Sequence, residues 1–199
     1  SDQTRVNVTI NGVPYNDSES YMSYWVDLPD FASSIESIQV QRGVGTSTNG
    51  PAAFGGSINI LTNAASEKPL FEINNTLGSF NTVKNSIGFS TGFINDKFEF
   101  SGRLSRIKSD GYIDRSGSKL RSYFLQGIFK DENSLLKILT FAGHEVTDQA
   151  WFGIDSSTLG TNRKYNPAGE YYDKMGNTLY YDDQDDNYKQ DHYQFHWNQ

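Results

Sequence analysis

The chain has 199 residues, no cysteine, a formal charge of -7 and a mean hydropathy of -0.62, with 36% hydrophobic and 14% aromatic residues. The acidic balance argues against a nucleic-acid partner, because phosphate contact calls for clustered Lys and Arg. The missing cysteines exclude a disulfide scaffold, a thiolate zinc site and a cysteine nucleophile. No stretch approaches the ~18 consecutive apolar residues of a spanning helix; a soluble β-protein and a membrane β-barrel, whose strands expose only alternate residues to lipid, both stay open.

The first residues, SDQTRVNV, lack the basic and apolar regions of a signal peptide, so either a signal has been removed or the chain starts inside a longer one. Val6, Val8 and Ile10 alternate with Asn7 and Thr9, the period of a strand, and Asn11-Gly12 supplies a turn. Asn16 to Val26 is a polar loop with Tyr15, Tyr21, Tyr24 and Trp25 interleaved. Asp27-Leu28-Pro29-Asp30 predicts the start of a helix, and Phe31 to Ser34 leaves room for one short turn of it. Ile35, Ile38 and Val40 predict a strand that ends at Arg42-Gly43; Ile58, Ile60 and Leu61 predict its successor after Gly55-Gly56. Glycines so placed serve a sharp turn or a close backbone approach, which makes this two short strands joined by a tight, ordered loop.

From Phe71 onward, alternation is broken by turns. Phe71, Ile73 and Leu77 share one face of a first strand, which turns near Gly78. Val83, Ile87, Phe89 and Phe93 share one face of a second, opposite the small, polar Lys84, Ser86, Gly88, Ser90 and Gly92. Asn95-Asp96 closes a hairpin into a third strand, where Phe98, Phe100 and Leu104 oppose Glu99, Ser101, Arg103 and Ser105. A polar connection over Lys108 to Lys119 leads to a fourth strand, Leu120 to Lys130, and Asp131-Glu132-Asn133 leads to a fifth, Leu135 to Val146; both have mixed faces, and their phase is not legible. Asp148 to Asn187 is one long connection, and Tyr188 to Trp197 begins a sixth strand.

The long connection gathers Tyr171, Tyr172, Tyr180, Tyr181 and Tyr188 with Asp173, Asp182, Asp183, Asp185, Asp186 and Asp191. Such a surface suits stacking on a sugar or siderophore, or oxygen ligation of a cation, but it lacks EF-hand spacing; a solvated loop is the plainer reading. His192 and His196 on one strand face lie about 13 Å apart, too far to share a metal, and with Trp197 they suit a barrel rim. No nucleophile elbow, phosphate loop or carboxylate pair emerges, so no catalytic residue, metal site or cofactor is expected, and the chain is not expected to be an enzyme.

The stretch from Ile35 to Thr62 resembles the end of the plug domain of TonB-dependent outer-membrane receptors. Glu36, Arg42, Gly43, Gly50, Ala53, Gly55, Gly56, Ile58, Asn59, Ile60 and Thr62 fall in register together, and V-T-I-N-G-V-P-Y resembles an earlier plug segment, with Asn11 where an Asp is common. The resemblance covers residues 5 to 64; beyond them only the pattern agrees. It implies a mainly β fold, with the C-terminal part of a plug domain over 1–64, then the first six or so antiparallel up-and-down strands of a transmembrane barrel of about 22 strands, incomplete in this chain, over 65–199. The long connection near 148–187 would lie outside the cell. Tyr15, Asn16, Tyr21, Tyr24 and Trp25 would form a ligand-facing plug loop, although the same aromatics would equally pack plug against wall. Glu36 and Arg42 would make plug–barrel contacts, and Tyr171, Tyr172, Tyr180 and Tyr181 extracellular-loop contacts. Implied partners are the TonB-ExbB-ExbD complex through a segment outside this chain, outer-membrane lipid, a small-molecule or oligosaccharide ligand with ferric siderophore as default, and a surface lipoprotein. The rival from another class is a soluble or surface-attached β-rich glycan-binding module, since a β-sandwich also alternates apolar and polar residues.

Overall fold

The computed structural model describes residues 3–43, 53–182 and 184–199. Gly50 of the motif and Asp183 of the acidic segment lie outside them. β1 (Val6–Ile10), β2 (Val13–Pro14), β3 (Ile35–Arg42) and β4 (Gly56–Thr62) form a small sheet in the order β2-β1-β4-β3. The β1–β2 turn has Asn11 and Gly12 at φ 53° and 81°, the left-handed region that Asn and Gly tolerate best. β4 lies between β1, to which it is parallel, and β3, to which it is antiparallel. Gly56 sits where the strand ends crowd: a Cβ there would stand 2.6 Å from the Gln41 carbonyl oxygen. The one short helical turn expected over Phe31–Ser34 forms as a 3-10 turn, and a second 3-10 turn, Trp25–Asp27, precedes it, the two separated by Pro29 and by Asp30 at φ 58°.

β5 (Pro69–Gly78), β6 (Thr82–Thr91), β7 (Phe98–Ser109), β8 (Ser118–Lys130), β9 (Leu135–Asp148) and, after the short hairpin of β10 (Glu170–Tyr172) and β11 (Thr178–Tyr180), β12 (Asp185–Asn198) complete the chain. β5 to β9 and β12 form one antiparallel up-and-down sheet, the wall. Connections 79–81, 110–117 and 149–184 lie at one end of it, and 92–97 and 131–134 at the other. Asn95 and Asp96 (φ 51° and 57°) make the expected tight turn, whereas the first turn is made by Phe80 and Asn81 (φ 58° and 53°) and Gly78 stays paired with Thr82. β8, β9 and β12 all run further than apolar residues alone suggest. Their polar ends remain in the ladder because backbone pairing does not require an apolar side chain.

The wall has two faces of different chemistry. Cross-strand register lines up Phe71 with Phe89, Ile73 with Ile87 and Leu104, and Phe98 with Phe129, all on the outer face. Ile87, Phe100 and Leu104 are 42%, 50% and 55% exposed, while Ser86, Ser90 and Ser105 on the other face are buried. The apolar face thus points away from the small sheet. β8 and β9 settle their phase by turning Phe124, Ile128, Leu139 and Phe141 inward, opposite an outer face that holds Leu125 and Ile138. The inner face is therefore not uniformly polar. Under the small sheet it carries the one apolar cluster among the described residues, in which Val8, Ile10, Leu28, Phe31 and Ile60 meet Phe124, Leu139 and Phe141. Each such side chain withdrawn from water contributes about 1.5–3 kcal/mol. Among the described residues no helix is long and apolar enough to cross a membrane.

Candidate functional site

The small sheet is joined to the wall through the segment between its two 3-10 turns. Asp30 accepts from Arg103 Nη1 at 2.8 Å and from Lys84 Nζ, and Arg103 Nε donates to Ser34 Oγ at 2.8 Å. Asp30 and Arg103 side chains are only 5% and 6% exposed. Burial alone would raise the Asp30 carboxyl; its donors, led by Lys84, and the Arg103 charge outweigh this and hold it below its ordinary value. Phe31 packs edge-on to Phe124 and against Phe141. The wall makes room for this segment with a missing side chain: a Cβ on Gly143 would fall 1.7 Å from the Asp27 carbonyl oxygen.

Further links lie along β9 and β12. Lys137 Nζ donates to Thr62 Oγ1 at 2.9 Å, and Gln194 donates to the Ile10 carbonyl at 3.2 Å while accepting from Asn11 Nδ2 at 3.2 Å. Lys137 marks the end of the wall where the small sheet hands over to β5. At the middle of β9 and β12, Tyr15 stacks on Trp25 and lies 5.5 Å from the His192 ring, which in turn stacks on Phe141 at 4.5 Å. Asp27, buried here, is pushed up to about 6, first by burial and then by the Asp186 charge.

The sequence-predicted plug loop therefore divides in two. Tyr15 is buried, donates its hydroxyl to the Tyr24 carbonyl at 2.9 Å, and is held protonated to high pH by burial and then by Asp27. Asn16 ties the loop to β1, accepting from Val8 N at 2.6 Å and donating to the Val6 and Tyr21 carbonyls at 2.9 Å. Both side chains are engaged in contacts within the loop and with β1. Tyr21, Tyr24 and Trp25 stay exposed, at 51%, 44% and 49%, on the end of the wall that carries the long connection. Glu36 and Arg42 are both exposed on β3, and no ion pair joins them among the described residues. The buried plug–wall ion pair is Asp30–Arg103, which sequence reasoning missed. The signal available was an Arg on the small, polar face of a strand, where a charge needs a partner.

In the long connection, Tyr171 stacks on Tyr181 at 4.5 Å, and the Arg115 guanidinium lies 3.5 Å over the Tyr180 ring. Asn166 Nδ2 donates to the carbonyls of Asp114, Arg115 and Gln149, which binds this connection to the 110–117 loop. Glu170 accepts from Tyr165 and Tyr172, bonds that lower its own pKa and push Tyr165 up to about 12. Asp155 caps α1 (Ser156–Thr161) by accepting from Thr158 N at 2.7 Å, and Asp173 accepts from Met175 N and Asn177 N at 2.8 Å. These carboxylates are occupied with turns, and no group of three metal-ligating side chains is present among the described residues. His192 is not at a rim but under the plug loop, and His196 bonds Gln194. No hydrogen bond or ring contact joins the loop tyrosines to Tyr21, Tyr24 or Trp25 among the described residues.

A small mixed sheet thus sits on the inner face of an antiparallel up-and-down wall whose outer face is apolar. Residues 1–57 match the family model described as TonB-dependent Receptor Plug Domain. The fold of the chain is similar to that of the ferripyoverdine receptor of the Pseudomonas aeruginosa outer membrane (TM-score 0.62, 12% identity, 87% of this chain and 21% of that one). It is likewise similar to the ferric yersiniabactin uptake receptor FyuA from Yersinia pestis (0.61, 18%, 73% and 23%) and the siderophore receptor PiuA from Acinetobacter baumannii (0.62, 16%, 79% and 22%). At these identities the likeness is one of fold, and the chain spans about a fifth to a quarter of those proteins. No curated relative matches it in sequence.

Proposed function

We propose that this chain is part of an outer-membrane active transporter that binds a scarce nutrient, by default a ferric siderophore, and delivers it to the periplasm. In this reading residues 1–64 belong to the plug and 65–199 to the wall of a barrel of about 22 strands. The 148–187 connection is extracellular, and the TonB-ExbB-ExbD complex pulls the plug to let cargo pass without bond chemistry. Glu36 and Arg42 face wall strands outside this chain. The observation that carries the reading is the placement of Tyr21, Tyr24 and Trp25 at the end of the wall that carries the tyrosine-rich connection, with the plug latched by a buried ion pair below them. Exposed aromatics at such a mouth supply stacking area for a ligand with planar or sugar-like groups.

The test is a fluorescence titration of the full-length receptor, in detergent, with a panel of ferric siderophores. Trp25→Ala combined with Tyr24→Ala is expected to weaken the bound siderophore about tenfold, the equivalent of ~1.4 kcal/mol. Recovery of the full-length protein from the aqueous phase without detergent would instead favour the glycan-binding module and end the receptor reading.

A further inference from the structure

The Asp30–Arg103 pair leaves part of the guanidinium unused. Arg103 Nη1 donates to Asp30 and Nε to Ser34, both at 2.8 Å, while Nη2 is buried with no hydrogen-bond partner. On the wall itself a second carboxylate stands in the same row. Register sets Glu72 of β5 against Gly88 of β6, and Gly88 against Arg103 of β7, so the two charged residues flank one without a side chain. Glu72 uses that gap: a Cβ on Gly88 would fall 2.8 Å from its Oε1 and 2.9 Å from its Cγ, which places the Glu72 side chain over the glycine and toward β7. There its charge acts on Arg103, yet the carboxylate forms no ion pair or hydrogen bond among the described residues.

Ser34, Glu72, Gly88 and Arg103 line a common cavity of about 110 Å³. A water molecule's share of the liquid is about 30 Å³, so the guanidinium has room to turn toward Glu72 without disturbing the strand ladder. Asp30 and Ser34 both belong to the segment that carries the two 3-10 turns. If that segment is drawn off the wall, Arg103 loses both partners at once. An arginine left without its counter-charge is what makes breaking a buried pair costly.

We propose that Glu72 is a second seat for Arg103: as the Asp30 segment withdraws, the guanidinium turns across Gly88 and pairs with Glu72, so that the wall keeps its charges balanced while the plug segment is away. The inference rests on the reading of this segment as part of a plug that moves against the wall. An arginine fork matches a carboxylate with two parallel N–H donors, and Nη2 is already free to make the first of these bonds. Glu72 therefore stabilises the withdrawn state more than the seated one, and it is this difference alone that shifts the equilibrium between them. Its role is to set how readily the latch opens.

Hydrogen-exchange mass spectrometry of the full-length receptor in detergent tests it, with the backbone amides of residues 25–34 reporting how often the segment leaves the wall. Glu72→Gln is expected to slow their exchange roughly tenfold, the scale of one hydrogen bond to a charged group. Loss of a residue with a merely structural role would quicken it instead. In the Asp30→Leu, Arg103→Met background, which has no guanidinium to hand over, Glu72→Gln should change nothing. Exchange that is unchanged or quicker in Glu72→Gln, or slowed as much without Arg103 as with it, overturns the proposal. Any of these results in a receptor that needs detergent refutes this inference alone; a receptor recovered from water without detergent refutes the plug reading beneath it.

Discussion

Gly143 is the position where one added carbon atom should loosen the plug. Its Cβ would lie 1.7 Å from Asp27 O, 2.7 Å from Asp27 C and 2.7 Å from Pro29 Cδ, against an ordinary contact of 3.4 Å or more. Two of these three atoms are backbone, and no rotamer change relieves them. In Gly143→Ala the 27–30 segment must therefore retreat from β9 by well over 1 Å, which draws Asp30 from Arg103 and Phe31 from Phe141. Overpacking of this kind costs about 1–3 kcal/mol. If that cost is confined to the plug segment, backbone amides of residues 25–34 in the full-length receptor should exchange with solvent roughly 5- to 150-fold faster, at about 1.4 kcal/mol per tenfold. Gly127→Ala is the control, because its Cβ would meet only the Phe100 ring, at 3.4 Å. Hydrogen-exchange mass spectrometry reads both variants. Unchanged exchange over 25–34 in Gly143→Ala would refute the reasoning, since the plug would then not bear on the wall at this point.

Two further outcomes follow from the same contact. Asp30→Asn leaves Arg103 buried beside a neutral amide and should destabilise the plug by about 3–5 kcal/mol, whereas Asp30→Leu combined with Arg103→Met should recover much of that loss; thermal unfolding of the three variants decides. Asp27 gives the contact a pH dependence: its folded value of about 6 lies above the ordinary 3.8, so the folded state holds the extra proton and the stabilisation is fully present below 3.8. Exchange over residues 25–34 should therefore quicken as pH rises from about 4 to 6, after correction for intrinsic rates, and Asp27→Asn should flatten that change. Asp30, held below its ordinary value, contributes in the opposite sense, and its share is lost only as pH falls through the folded value.

Sequence by itself determined the elements whose signal is local. Period-two alternation gave β1, β6 and β7; Asn-Gly and Asn-Asp gave their turns, because few residues accept left-handed backbone; and the glycine-spaced motif from Ile35 to Thr62 identified the plug. It also separated the small, polar face of β6 from its apolar face, although not which of them points inward. Only the tertiary structure decided that, and it did so by seating Asp30 and Ser34 against Arg103 on the face where Ser86 and Ser90 are buried, leaving Ile87 and Phe89 exposed on the other. The phase of β8 and β9 was illegible for a physical reason: Phe124 and Phe141 face Phe31 while Leu125 and Ile138 face away, so both sides are apolar and alternation vanishes. Tyr15, for which the sequence left ligand contact and packing equally open, is buried, and the latch is made by Asp30 and Arg103, which are separated by 73 positions in the chain. A pair so distant leaves no periodic trace in sequence, because each partner is chosen by the surface that folding brings opposite it.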